Sequence, residues 1–117
     1  MPRQMKESNQ TDTIRYTHSL EGVSASMLTG FFVGWPNPPS PDTHLRMLRH
    51  SYCAVLAIDE RRNCVVGFIT AISDGVLCAY IPLLEVLPEY QKQGIGTELV
   101  SALLSEWLIR RREGRKP

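Results

Sequence analysis

Leu84-Glu85-Val86-Leu87-Pro88-Glu89-Tyr90-Gln91-Lys92-Gln93-Gly94-Ile95-Gly96-Thr97-Glu98-Leu99-Val100 is the stretch on which the reading of this chain turns. It opens as a strand, is stopped by Pro88, turns through Glu89 and Tyr90, and enters a helix at Gly94 and Gly96. The amides that begin a helix have no intrahelical acceptors and share the positive end of the helix dipole. Two glycines there let an anion approach the main chain without a Cβ in the way, which makes a diphosphate the natural ligand. A dinucleotide loop, G-x-G-x-x-G, would need glycine at position 99, which is Leu99. A triphosphate loop would need Gly-Lys followed by Ser or Thr, which the chain lacks.

The remaining pattern, Gln91-x-x-Gly94-x-Gly96, resembles the coenzyme A loop of the GNAT acyltransferases, Arg or Gln, two variable residues, Gly, one variable residue, then Gly or Ala. Leu84 to Tyr90 is similar to the family's strand ending L-x-V-x-P-x-[YF], and Thr97 to Val100 to its following helix. The resemblance implies an N-acetyltransferase with acetyl-CoA as co-substrate and no metal. Main-chain amides of Gln91, Lys92, Gln93, Gly94, Ile95, Gly96 and Thr97 would hold the pyrophosphate, with Lys92 adding charge. The backbone of Leu84 and Val86 would align the pantetheine arm and polarise the thioester carbonyl. A primary amine, on a small molecule or a peptide, would then attack directly while amide N–H groups stabilise the oxyanion. The alternative is a noncatalytic coenzyme A binding or interaction module.

Two residues are candidates for chemistry on β-rich sequence. Glu85 reads either as the base that deprotonates the ammonium or as an ordinary outward-facing strand carboxylate, since alternation alone does not say which face is the cleft. Tyr80 reads as a neighbour of the acceptor or as packing. His44 and His50 are expected on the second helix or its end, facing solvent or capping, and His18 carries no signal.

Outward from this segment, the rest of the chain predicts an α+β domain, a mixed, mainly antiparallel sheet backed by helices. The 117 residues are 43% hydrophobic, enough for one domain with one core. Residues 1–12 read as a disordered leader, 13–112 as a partial GNAT domain and 113–117 as a basic tail. Ile14 and Tyr16 begin a strand, and a helix is expected from about Leu20, with Leu20, Val23, Met27, Leu28, Phe31 and Phe32 as its apolar face. Trp35-Pro36-Asn37-Pro38-Pro39 breaks it and either walls the acceptor site, as the resemblance implies, or merely connects. Ser40-Pro41 caps and starts a second helix. Cys53 to Ile58 and Cys64 to Ser73 form a hairpin, Asp74-Gly75 turns, and Val76 to Val86 makes another strand with Pro82 where no ladder donor is needed. The last helix, about Gly94 to Arg111, presents Ile95, Leu99, Leu103 and Trp107, joined by Val100, Leu104 and Leu108.

A net charge of +1 offers no global field for nucleic acid, and the cationic end at Arg110, Arg111 and Arg112 reads as a complement to the helix dipole. No apolar run is long enough for a membrane span. Cys53, Cys64 and Cys78 lie in apolar stretches as reduced core residues, which points to a cytoplasmic protein. Members of the resembling family continue past this helix with another strand, a helix and closing strands, which commonly supply the tyrosine that protonates the thiolate. The expectation is therefore a domain with C-terminal strands and helix missing. Such a chain is either a shortened product with impaired activity or one that completes itself as a homo-oligomer.

Overall fold

The structure is a computed structural model and describes residues 13–114. The expected leader and residues 115–117 of the expected tail lie outside the described residues. Four strands, β1 (Ile14–Thr17), β2 (Cys53–Asp59), β3 (Cys64–Ser73) and β4 (Ala79–Val86), form one antiparallel sheet in the order β1-β2-β3-β4. Helix α1 (Pro41–His50) follows the proline loop and α2 (Ile95–Gly114) follows β4. The α+β architecture expected from the sequence is the one observed.

Every residue of β2 is buried, Cys53 through Asp59. A strand loses its in–out alternation in this way when both sheet faces are covered. One cover is α2, which packs on β2, β3 and β4. It comes so close to Gly67 that a Cβ there would stand 3.1 Å from a Leu99 methyl and 3.4 Å from Ile95. The opposite face carries Phe68, the next residue, whose ring meets Phe31 at 5.2 Å and His44 at 4.4 Å between centroids. One strand thus contributes glycine to a helix contact and phenylalanine to an aromatic cluster.

Helix α1 starts as its sequence dictates: Thr43 N–H donates to Ser40 Oγ at 3.2 Å and Pro41 takes the first helical position. Such a cap is worth about 1 kcal/mol. The helix expected from Leu20 to Phe32 does not form. Only Ala25–Met27 make a 3-10 turn, because Gly22 (φ 81), Gly30 (φ 91) and Phe32 (φ 66) adopt left-handed backbone that no right-handed helix accommodates. Val23, Met27, Leu28, Phe31 and Phe32 are nevertheless buried, so the apolar pattern marks the core without specifying a helix.

Three further expectations are corrected. Strand β4 begins at Ala79 rather than Val76, because the Asp74 carboxylate accepts from the amides of Val76, Leu77 and Cys78 at 2.9, 3.0 and 3.3 Å and folds them into a turn. Cys78 is exposed, whereas Cys53 is buried and Cys64 half-buried; all three are free. Leu104 and Leu108 stand 50% and 53% exposed, outside the Ile95, Leu99 and Leu103 stripe that enters the core. Pro82 falls where the β3–β4 register slips between Thr70–Leu83 and Ile72–Tyr80, a position that asks no ladder donor of it. Helix α2 runs on through the expected tail residues to Gly114. No helix among the described residues is long and apolar enough to cross a membrane.

Candidate functional site

The turn from β4 into α2 is built by local hydrogen bonds. Tyr90 N–H donates to Leu87 O at 2.9 Å and Gln91 N–H to Pro88 O at 3.3 Å, closing a 3-10 turn over Pro88–Tyr90. The Gln91 side-chain amide donates to Val86 O at 2.9 Å, and that of Gln93 to Glu89 O at 3.4 Å. Lys92 (φ 65) and Gly94 (φ 87) are both left-handed, so the main chain curls before the helix begins. Successive amides in such a curl make an anion-binding concavity. The first bond of α2 runs from Glu98 N–H to Gly94 O at 3.1 Å, which leaves the amides of Ile95, Gly96 and Thr97 at the open helix start.

A cavity of about 280 Å³ lies against this turn, lined by Val86, Tyr90, Gln91, Lys92, Gly94, Ile95, Gly96 and Thr97. A Cβ on Gly94 would meet nothing within 4 Å, and one on Gly96 only a Val86 methyl at 4.0 Å. Both glycines therefore border open space that side chains would fill. The residues present fit a pyrophosphate: small, N–H rich, at the start of a 20-residue helix and with a lysine beside it. Of the expected cofactor residues, Gln93 alone from this turn does not line the cavity, and the Gln91 amide is already engaged with Pro88.

A second groove, about 410 Å³, adjoins the first through the shared residues Val86 and Gln91, and is bordered also by Leu83, Leu84, Glu85, Pro88, Val33 and Trp35. Sheet register decides what faces it. Phe68 pairs with Glu85 and Gly67 with Val86, and directly opposed residues share a face. Val86 thus sits on the α2 side, and Glu85 on the side of the Phe31–Phe32–His44–Phe68 cluster. The carboxylate is spoken for there: Phe32 N–H donates to both Glu85 oxygens, at 3.0 and 2.9 Å. Tyr80 pairs with exposed Ile72, is itself 66% exposed and does not border the groove. The Trp35 end of the proline loop lies at the groove.

Two long-range ties were not legible in the sequence. Tyr90 is buried and its hydroxyl donates to Asp59 Oδ2 at 2.7 Å, anchoring the cofactor turn to the end of β2. Burial pushes the Asp59 carboxyl up, but the donors Tyr90, Thr13 and the Arg61 and Arg62 amides outweigh it and hold the group below its ordinary range. Burial and the same carboxylate push Tyr90 up to about 12. His44 is the second surprise. Expected to face solvent, it is 1% exposed, ringed by Phe31, Phe32 and Phe68, with both ring nitrogens lacking hydrogen-bond partners, and burial lowers it to about 4. The local signal that marks it is the apolar helix face it shares with Leu45 and Leu48.

Two arginines of the cationic helix end, Arg110 and Arg111, are used internally. Arg110 pairs with Glu106 at 2.7 Å and donates to Tyr52 O, while Arg111 donates to Val76 O and lies 5.3 Å over the Trp107 ring. Among the described residues no group of three His, Cys, Asp or Glu side chains is placed to hold a metal ion.

The chain is similar in sequence and fold to known proteins. A crystal structure from Deinococcus radiodurans R1 described as an acetyltransferase is 42% identical, with a TM-score of 0.82 over 87% of this chain and 71% of its own. A GNAT family acetyltransferase of Streptococcus pneumoniae TIGR4 is 34% identical with a TM-score of 0.56, over 81% of this chain and 67% of its own. An aminoglycoside 6'-N-acetyltransferase complexed with coenzyme A is 27% identical with a TM-score of 0.65, over 83% of this chain and 56% of its own. No curated protein matches the chain. The sequence model of the Acetyltransferase (GNAT) family matches residues 20–116, and with a 42% identical relative sharing the fold, the chain belongs to that family.

Proposed function

We propose that the chain binds acetyl-CoA along the two adjoining grooves and transfers the acetyl group to a primary amine of a small molecule or peptide. The observation that carries this reading is the cavity at Gly94 and Gly96, which no Cβ fills and onto which the first amides of α2 open. Family membership and the coenzyme A found with the aminoglycoside-modifying relative support it. In this reading the amides of Lys92 and of Gly94 to Thr97 hold the diphosphate, with Lys92 adding charge. The exposed edge of β4 at Leu84 and Val86 orders the pantetheine arm in the larger groove.

Acetyl-CoA supplies an activated thioester; the chain supplies orientation and a place for the proton. An ammonium must lose a proton before it can attack, and Glu85 is the carboxylate bordering the larger groove. A carboxylate has about four lone-pair sites, so the contact to Phe32 leaves capacity for an amine. Glu85 is therefore the proposed proton acceptor, and Tyr80 a more distant participant on the same strand. The free cysteines fit a reducing, cytoplasmic setting, which belongs to the same proposal.

Calorimetric titration with acetyl-CoA, followed by thiol release over a panel of amines, tests the reading. Saturable binding with amine-dependent release is expected. An absence of binding overturns it, and binding without release from any amine favours a noncatalytic coenzyme A module.

A further inference from the structure

The wall of the larger groove opposite the cofactor turn is the segment from Gly30 to Trp35, and its backbone follows an unusual course. Gly30 (φ 91), Phe32 (φ 66) and Gly34 (φ 84) are all left-handed. Glycine takes that conformation without penalty; a phenylalanine does so only when its surroundings impose it. Two restraints act on Phe32. Its ring is 3% exposed and packs against His44 and Trp35, each at 4.9 Å, and against Phe68 at 5.9 Å. Its amide is held by both oxygens of Glu85, a residue 53 positions away on β4.

The chain continues from this anchored amide directly into the groove. Trp35 N–H donates to Phe32 O at 3.1 Å, closing a turn that carries Val33 and Trp35, the two residues of the segment that border the groove. Both are exposed, Val33 at 64% and Trp35 at 47%, and the ring against which Trp35 packs is that of Phe32 itself. The register that pairs Glu85 with Phe68 also explains why this carboxylate reaches the loop: it rises from the sheet face on which the aromatic cluster sits.

We infer that Glu85 is a positioning residue, a strut that fixes the Phe32 amide and so seats Val33 and Trp35 as the acceptor wall of the groove. This role is separate from proton transfer and rests on the proposed reading only for its kinetic arm. The two roles make different demands on the side chain. A strut needs an acceptor oxygen at the right reach, which glutamine keeps, aspartate is one methylene short of, and alanine lacks. A base needs a titratable carboxylate, which glutamine does not have.

Labelling both tryptophans with 5-fluorotryptophan and assigning the Trp35 resonance with W35F gives a readout that needs neither cofactor nor turnover. In Glu85→Gln the Trp35 resonance is expected to stay at its wild-type position. In Glu85→Ala and Glu85→Asp it should move or broaden while the Trp107 resonance stays put. With acetyl-CoA saturating, the acceptor KM is expected to rise about tenfold in Glu85→Ala and about twofold or less in Glu85→Gln, the loss of one charge-assisted hydrogen bond. A fall in kcat common to Gln and Ala, with the acidic limb of the pH profile lost, adds the base role without altering the strut. An unmoved Trp35 resonance in Glu85→Ala, or a Gln variant as disturbed as Ala, overturns the strut. If Ala does not fold by far-ultraviolet circular dichroism, the Gln and Asp pair decides by the same criterion. Failure of the wild type to bind acetyl-CoA removes the proposed function and leaves the fluorine comparison standing.

Discussion

The two walls of the groove use the same backbone device and hold it in opposite ways. At the cofactor turn, Lys92 and Gly94 are left-handed and the curl is closed by bonds between near neighbours, Tyr90 to Leu87, Gln91 to Pro88 and to Val86, Gln93 to Glu89, Glu98 to Gly94. At the opposite wall, Gly30, Phe32 and Gly34 are left-handed, but the bond that fixes Phe32 comes from Glu85 and its ring contacts from His44 and Phe68. Local closure makes a turn that a short sequence specifies. Long-range closure makes a wall whose shape depends on the sheet register.

The comparison can be tested at both walls. The largest effect is expected from Gly96→Trp, whose backbone is not left-handed and whose new side chain borders the cofactor cavity without a starting clash. Acetyl-CoA affinity should fall by about 100-fold, about 2.7 kcal/mol, in isothermal titration, with unfolding stability little changed. Wild-type affinity would mean that the local turn is not the phosphate grip.

Tyr90→Phe probes a long-range tie of the cofactor turn. Removing the hydroxyl deprives buried Asp59 of its 2.7 Å donor, and a loss of about 2 kcal/mol is expected in urea unfolding. A neutral result would mean that the turn does not depend on this tie and would sharpen the contrast between the walls.

His44 tests the other wall through pH. Its folded value, about 4, is below the ordinary 6.5, so between these values the unfolded chain binds the extra proton and stability rises with pH. Stability is full above about pH 6.5 and is lost as pH falls toward 4; the depressed Asp59 carboxyl acts in a lower window, below its ordinary 3.8. Thermal melts from pH 7 to 5 should show the decline in the wild type, and His44→Leu should abolish it and gain about 1 kcal/mol at pH 5 by removing a buried imidazole without partners. An identical pH dependence in both proteins would place the titration elsewhere.

The smallest effect is expected from Gln91→Ala, which deletes the exposed bond to Val86 O. A cost of about 0.5 kcal/mol in chemical unfolding fits a turn closed by several redundant local bonds. A cost above about 2 kcal/mol would show that the turn hangs on this one side chain, as the opposite wall does on Glu85.

Much of the fold was readable because its signals are short in range. Ser40 and Pro41 start α1 where a cap and an N1 proline should, Cys53 to Ser73 folds as a hairpin, and Ile95, Leu99 and Leu103 form the buried stripe of α2. The errors share a cause. Leu20 to Phe32 has the apolar content of a helix, yet Gly22 and Gly30 turn left-handed, and so does Phe32, which the aromatic cluster and Glu85 bind from outside. Val76 to Cys78 has strand composition, but Asp74 claims its amides. Leu104 and Leu108 obey the helical period and are exposed, since the stripe on α2 is narrower than its apolar residues.

The sequence by itself determined the family and the strand–turn–helix in which Gly94 and Gly96 border a cavity, because glycines, a proline and a helix start act on their immediate neighbours. Only the tertiary structure decided that Glu85 faces the Phe32 amide, that Tyr80 stands away from the groove, that His44 is sealed among three phenylalanines and that Asp59 holds Tyr90. Each of those depends on which face of a strand or helix meets which distant segment, and a shift of one residue in the β3–β4 register would turn Glu85 away from Phe32.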